Sequence, residues 1–340
     1  MEEMVGASCR NYSKALSGKT VLITGATGLV GSHLLAWLSG IGAKAVAFLR
    51  DDVPSSLAVT SKDIDRVVRA RGDLREYDDL CRVVAEYDPE VVFHLGAQSQ
   101  VGVGQNYPRG TLEANVRGTW NLLEALRLCG RHLSAIVVAS SDKAYGESPH
   151  LPYLETHPLA GAYPYDVSKS CVDLISRCYA RTYEMPVGIA RCGNVYGEGD
   201  INFDRIVPGT IRDACRGHRP VLRSDGQSVR DYIYVKDVVS AYLTLAAAVI
   251  DRPDLRGEAF NFGYDRPVTV LEIVQRILTL MGQNHLVPDI RNTASGEIRS
   301  QYLSSEKARR TLDWSPAYGL DDGLKNTIAW YVPRLEAGVI

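Results

Sequence analysis

The sequence predicts an α/β fold in which a doubly wound, mostly parallel sheet is followed by a smaller α/β lobe. Three observations lead there. Short apolar runs alternate with helix-period segments over roughly the first 190 residues, the rhythm of strand, helix and parallel strand. A glycine-rich stretch separates the first apolar run from the first helical one. Past Gly193 the alternation loosens into shorter strands and longer helices.

The elements follow in order. Thr20-Val21-Leu22-Ile23-Thr24 is a short apolar run ending at Gly25, which marks a strand buried on both faces. Residues 29–38 carry apolar side chains at helical spacing, and Lys44–Leu49 reads as the second strand. Further strands are expected at 66–70, 91–95, 135–139 and 187–191. Helices are expected at 78–87, 112–128 and 165–183. The second lobe should hold helices at 203–216, 236–249, 269–281 and 320–332, an extended segment at 229–235 and a strand at 259–263. Residues 1–18 are read as an N-terminal extension, 19–192 as a dinucleotide-binding domain, and 193–340 as a substrate lobe interleaved with it. The crevice between lobes is the expected site, with 149–164 as its proline-rich loop.

Composition excludes several function classes. The 38 basic and 40 acidic side chains leave a net charge of −2 with no basic block, so nucleic-acid binding has no electrostatic footprint. Seven cysteines are scattered without a C-x-x-C pair, which argues against a disulfide framework or a zinc site, or any metal, and for a reducing, cytoplasmic setting. No apolar run reaches the roughly 18 residues that span a bilayer, and residues 1–16 lack a signal core.

The chemistry-bearing motifs are three. Gly25, Gly28 and Gly31 follow a strand and open a helix; with Thr27, Leu29 and Val30 they form a turn where backbone amides can approach a pyrophosphate. The second strand ends in Leu49-Arg50-Asp51-Asp52. A carboxylate there favours NAD and an arginine would accept the 2′-phosphate of NADP; the adjacent carboxylates favour NAD, with NADP left open. Asp73 and Leu74 are candidate adenine contacts, and Leu95, Ala97 and Gln98 end the fourth strand over the cofactor. Tyr165 and Lys169 stand four apart, hence on one helix face, downstream of Ser141. The ammonium is expected to lower the phenol pKa, so that Tyr165 takes a proton from a hydroxyl held by Ser141. Asp142-Lys143 adds an acid–base pair next to that serine.

The glycine motif, the Ser/Tyr/Lys set and Arg191-Cys192-Gly193-Asn194-Val195-Tyr196-Gly197 resemble the extended short-chain dehydrogenase/reductase superfamily acting on nucleotide sugars, over roughly 19–331. More closely, Ala97-Gln98, Ser141-Asp142-Lys143, Gly193-Asn194-Val195, Gly199-Asp200 and Asp204-Arg205-Ile206-Val207-Pro208 are similar to CDP-glucose 4,6-dehydratases. The resemblance implies a Rossmann-like fold and a lyase that oxidises C4 of an NDP-hexose with NAD. Water then leaves across C5–C6 and the hydride returns, giving a 4-keto-6-deoxy sugar. It casts Asp142 as acid for the leaving water and Lys143 as the base or its partner, with Tyr165 and Lys169 also touching the cofactor. It places Gln98, Asn194, Arg205, Val207, Arg223 and Arg230 at the substrate. A homodimer through a four-helix bundle is implied as well. A nucleotide-sugar epimerase shares the first step and is the alternative, although 4-epimerases usually lack the pair at 142–143. A net reductase and a silent NAD-binding protein are further rivals. Residues 226–232 have the generic superfamily form and 297–302 lack a close match, so base and hexose stay open.

Overall fold

A computed structural model of the chain describes residues 7–293 and 298–340; Glu297 of the expected substrate segment lies outside them. Seven parallel strands form one sheet: β1 (Thr20–Thr24), β2 (Lys44–Leu49), β3 (Val68–Arg71), β4 (Val91–His94), β5 (Ala135–Ala139), β6 (Val187–Cys192) and a seventh, Ala259–Phe262. Their spatial order is Ala259–Phe262, β6, β5, β4, β1, β2, β3. Runs such as Val21-Leu22-Ile23 and Ile136-Val137-Val138 are fully buried because helices cover both faces, each with its own hydrophobic cluster. The order reverses between β1 and β4, and the carboxyl ends of those strands open on the crevice where such sheets bind ligands.

Several expectations are adjusted. A 3-10 turn, Asp63–Arg66, takes up the start of the expected third strand, which begins at Val68. The segment expected as one helix over 112–128 is broken into Pro108–Leu112, a π turn at Glu113–Arg117, and Gly118–Cys129. The extra residue of the π turn faces Asn115 inward, where its side chain bonds the Gln98 backbone twice, at 2.7 and 2.9 Å. The extended segment at 229–235 is two short strands, Val229–Arg230 and Tyr232–Tyr234, and Val235 already opens the helix Val235–Asp251. The N-terminal helix Ala7–Leu16 is part of the packed body: Tyr12 and Leu16 are buried, and Tyr12 sits edge-on to Trp37 at 5.1 Å. The strand after the second lobe's first helices belongs to the large sheet, pairing with β6 from Ala259↔Ile189 to Phe262↔Cys192.

The smaller lobe packs helices Ile206–Cys215, Val270–Leu280 and Leu320–Glu336 around a third apolar cluster. Thr269 and Glu272 close a capping box at the start of the second of these. Beside it, Val229–Arg230 is flanked by Val268–Thr269 and Ser300–Gln301, with Gln301 paired to Arg230. A fully buried Arg191 fixes the lobes' junction. It grips Asp173 with two bonds of 2.7 and 2.8 Å and donates to the Tyr145 hydroxyl at 2.7 Å, which donates on to Asn261. One guanidinium thereby ties β6 to the helix Pro164–Tyr183 and to the turn that carries Asp142.

Candidate active site

The first element of the site is a cradle for a dinucleotide. Gly25 has φ +72°, and a Cβ there would stand 2.8 Å from Gly96 N. A Cβ on Gly31 would fall on the Gly25 carbonyl oxygen, 2.8 Å from Ala26 Cα. Gly28 caps the helix Leu29–Gly40, so the amides of Leu29, Val30 and Gly31 have no helical acceptors and face the turn next to half-buried Thr27. These features fit a pyrophosphate held on a helix N-terminus. Leu95, Gly96 and Ala97 line the neighbouring cleft with Asn115 and Lys169.

A buried relay holds β1 to β4 under that cleft. Thr24 Oγ1 accepts from the Leu95 and Gly96 amides at 3.2 and 3.0 Å, so its own proton goes to His94 Nδ1 at 2.8 Å. His94 Nε2 then donates to Thr119 Oγ1 at 2.9 Å, which donates to Asn115 O at 2.6 Å. Burial, and secondarily the Lys169 charge, push the His94 imidazole down to about 3, so it stays neutral. The adenosine side is polar and self-paired. Arg50 bonds Asp51 at 2.6 Å, Asp52 pairs with Arg71, and Arg75 holds the Asp73 carboxyl below its ordinary value. Leu74 packs beneath Gly96 and Gly118, leaving no room there for a Cβ.

Ser141, Tyr165 and Lys169 converge at the ends of β5 and the helix Pro164–Tyr183. Ser141 caps a 3-10 turn, Asp142–Tyr145: its Oγ accepts from Lys143 N at 3.2 Å and donates to Asp142 Oδ1 at 3.0 Å. Lys169 Nζ donates to Ala139 O at 2.7 Å and lies 5.9 Å from the Tyr165 ring centre. Burial lowers this ammonium to about 8. The expected depression of the phenol does not occur. Burial raises Tyr165 well above an ordinary phenol, more than Arg205 and the Ser141 hydrogen bond lower it. The i, i+4 spacing gave proximity, but desolvation is the larger effect.

Asp142 and Lys143 are brought together with residues the sequence reading missed. Asp142 is buried, and desolvation raises its carboxyl against the pull of Lys143, Ser141 and Arg230. A carboxyl held toward its neutral form is a proton donor. Lys143 Nζ donates to Gln301 Oε1, from the smaller lobe. Asp166, next to Tyr165 and also buried, is pushed up to about 6 by desolvation, with Lys143 pulling down and Asp142 pushing up. A carboxylate directly after the tyrosine was a visible signal for it. Nothing local in the chain marks His94 or Asn115, and Gln301 falls in the 297–302 segment without its own role being marked.

The expected substrate residues divide. Gln98 is anchored by Asn115 and by its own Nε2 to Gln100 O at 3.1 Å. Arg205 reaches Asp200 at 3.0 Å and Ser99 at 3.3 Å, close enough to Tyr165 for its charge to act there. Arg230 is buried, donating to the Val229 carbonyl at 2.8 Å, and its charge acts on Asp142. Asn194 is half-buried, with its backbone N–H donating to Asp231 O at 2.7 Å. Arg223 is exposed and touches Asp204 O at 3.3 Å. The Val207 side chain is buried in the apolar cluster of the smaller lobe, leaving its backbone alone to meet a ligand.

A glycine cradle at the switch point, facing a Ser–Tyr–Lys set, defines a dinucleotide-dependent enzyme of the short-chain dehydrogenase type. The chain belongs to the GDP-mannose 4,6 dehydratase family, whose sequence pattern matches residues 22–327. It is 32% identical to a CDP-glucose 4,6-dehydratase of Salmonella typhimurium, over 92% of this chain and 90% of that one. Among solved structures it resembles a dTDP-glucose 4,6-dehydratase of Bacillus anthracis in complex with NAD, with TM-score 0.81, 28% identity, and coverage of 94% and 98%. It also resembles a UDP-glucose 4-epimerase of Thermotoga maritima with UDP-glucose, with TM-score 0.83, 26% identity, and coverage of 93% and 99%.

Proposed function

We propose that the protein is an NAD-dependent nucleotide-sugar 4,6-dehydratase, converting an NDP-hexose to its 4-keto-6-deoxy form, with a CDP-glucose-like substrate favoured. The observation that carries this is the turn Asp142–Tyr145, which puts a buried, proton-retaining carboxyl and an amine directly after Ser141. Gly25, Gly28 and Gly31 would hold the pyrophosphate of the cofactor, with Leu95 and Ala97 under its nicotinamide half. NAD, when bound, supplies a hydride acceptor at C4 and the hydride that ends at C6. Ser141 Oγ holds the C4 oxygen. Tyr165 takes the proton from that oxygen after losing its own, a loss that Arg205 and the Ser141 hydrogen bond favour. The new C4 ketone acidifies C5–H, and Lys143 in its amine form removes that proton. Asp142 then protonates the C6 hydroxyl as it leaves as water, and the Lys143 ammonium returns its proton to C5 as C6 takes up the hydride.

Incubating the enzyme with CDP-, GDP-, UDP- and dTDP-hexoses, followed by mass spectrometry, tests the reading. Loss of water from one sugar supports it. Interconversion of two sugars of unchanged mass makes the protein an epimerase instead, the reading favoured by the structural likeness to a 4-epimerase. Stoichiometric consumption of reduced cofactor would point to a reductase.

We also propose a homodimer built on the helices Gly118–Cys129 and Pro164–Tyr183, which leave Trp120, Leu128, Leu174 and Tyr183 exposed. Its four-helix arrangement would cover that surface. Among the described residues no helix is long and apolar enough to cross a membrane, and the scattered cysteines fit the cytoplasm.

A further inference from the structure

The turn that carries Asp142 and Lys143 moves as one unit. Asp142 and Tyr145 are its first and last residues, and in a 3-10 turn side chains three apart lie along the same edge. Whatever orients Tyr145 therefore orients Asp142, with Lys143 beside it. Ser141, Tyr165 and Lys169 are anchored elsewhere. Ser140 N donates to Ala190 O at 2.8 Å, which fixes the strand end ahead of Ser141, and Lys169 Nζ holds Ala139 O from the helix Pro164–Tyr183.

Tyr145 is buried, and its hydroxyl is bonded in both directions. It accepts from Arg191 at 2.7 Å and donates to Asn261 Oδ1 at 2.7 Å, so two neighbouring strands of the large sheet fix the phenol oxygen. Burial raises this phenol well above its ordinary value, which keeps it a donor. The ring lies on that of Tyr153, with centres 4.7 Å and planes 13° apart. Tyr153 then closes the circuit. Its hydroxyl donates to Gly146 O, directly after the turn, and its backbone carbonyl accepts from Asn261 Nδ2 at 3.0 Å. Tyr153 also reaches the smaller lobe: its N–H donates to Tyr302 O at 2.9 Å, and Ser304 N donates to Tyr153 O at 2.9 Å. The turn is thus aligned to both lobes at once. An apolar ring at 145 would fill the same volume, but only a hydroxyl held between two opposed partners fixes how the turn is rotated.

We infer that Tyr145 is a positioning residue for the elimination step: its hydroxyl, clamped between Arg191 and Asn261, sets the rotation of the turn that aims Asp142 and Lys143 at C6 and C5. It takes no part in oxidation at C4. The inference rests on the dehydratase reading, which supplies the two steps that it separates.

Rapid mixing of the NAD-loaded enzyme with CDP-, GDP-, UDP- and dTDP-glucose tests it. Absorbance follows the reduced cofactor formed by C4 oxidation, and mass spectrometry of quenched samples follows loss of water. Tyr145→Phe keeps the ring and its stack on Tyr153 but removes the clamped hydroxyl. Water loss should slow roughly 10- to 100-fold while oxidation stays within about 2-fold of the parent, so reduced cofactor accumulates. Tyr153→Phe removes only the bond to Gly146 O and should give the same split at roughly 3- to 10-fold. A general loosening of the fold would slow both steps together and accumulate nothing. Parental water loss in Tyr145→Phe overturns the inference, as does an equal fall in both steps. If Tyr145→Phe does not fold, Tyr153→Phe decides by the same criterion; unfolding of both makes the hydroxyl purely structural and overturns the inference too. A parent that loses water from none of the four sugars removes the dehydratase reading and this inference together, whereas a dehydrating parent with unaffected variants removes the inference alone.

Discussion

Asp142 and Asp166 have the same side chain and different tasks. Asp142 accepts from Ser141 Oγ at 3.0 Å, and in the proposed reaction Asp142→Asn keeps the shape and removes the proton donor. Loss of water should slow by roughly 10²- to 10⁴-fold, while C4 oxidation survives and reduced cofactor builds up, visible by absorbance. Asp166 should appear in the stability profile. Its carboxyl stands at about 6 in the fold against 3.8 ordinarily, so the native state holds the proton more tightly. Its contribution is complete below about pH 4 and is lost as pH rises through about 6; Asp237, at about 6, acts with the same sign. Asp166→Asn should flatten stability between those values and gain roughly 1–3 kcal/mol at pH 8, read by denaturant melts at pH 5 and pH 8. Ser141, Tyr165 and Lys169 were legible because spacing and order mark them. The raised phenol was not, since desolvation is a property of everything packed around Tyr165.

Strands and most helices were legible as elements because burial on both faces leaves apolar runs that composition alone reveals, as in Lys44–Leu49 and Ala135–Ala139. The break at Glu113–Arg117 was not. Its apolar periodicity is continuous, and the π turn exists to serve Asn115, whose partners Gln98 and Ser168 lie in other segments. Asn115→Ala leaves the Gln98 amide and carbonyl and the Ser168 hydroxyl without that partner, and should cost about 2–4 kcal/mol in chemical denaturation. The glycine turn gives a sharper case. Gly31→Ala puts a methyl group on the Gly25 carbonyl, so the turn has to open and its amides lose their convergence. NAD affinity measured by fluorescence titration should fall by at least ~10-fold, and an unchanged affinity would show that the turn is not the pyrophosphate cradle.

The exposed apolar side chains of the paired helices bear on the whole molecule. Tyr179 reaches Glu124 at 3.1 Å and Arg127 lies over the Tyr183 ring at 4.8 Å, so the two helices are already locked side by side and their outer surface is preformed. Leu174→Glu places a charge in the middle of that surface. The parent should run as a dimer and this variant as a monomer by light scattering at micromolar concentration, with the fold retained. That Ala259–Phe262 joins the large sheet was not legible in the sequence, because the partner of the sheet's outer strand is set by topology rather than by local pattern. That topology has a consequence during synthesis. When Cys192 leaves the ribosome, β6 has no outer neighbour, and its partner Ala259–Phe262 is still to be translated. At about 5–20 residues per second the open edge persists for roughly 3–13 s, with unsatisfied backbone groups that can template aggregation. Nascent chains of this protein should therefore depend on chaperone protection over that interval, and become independent of it once the seventh strand emerges.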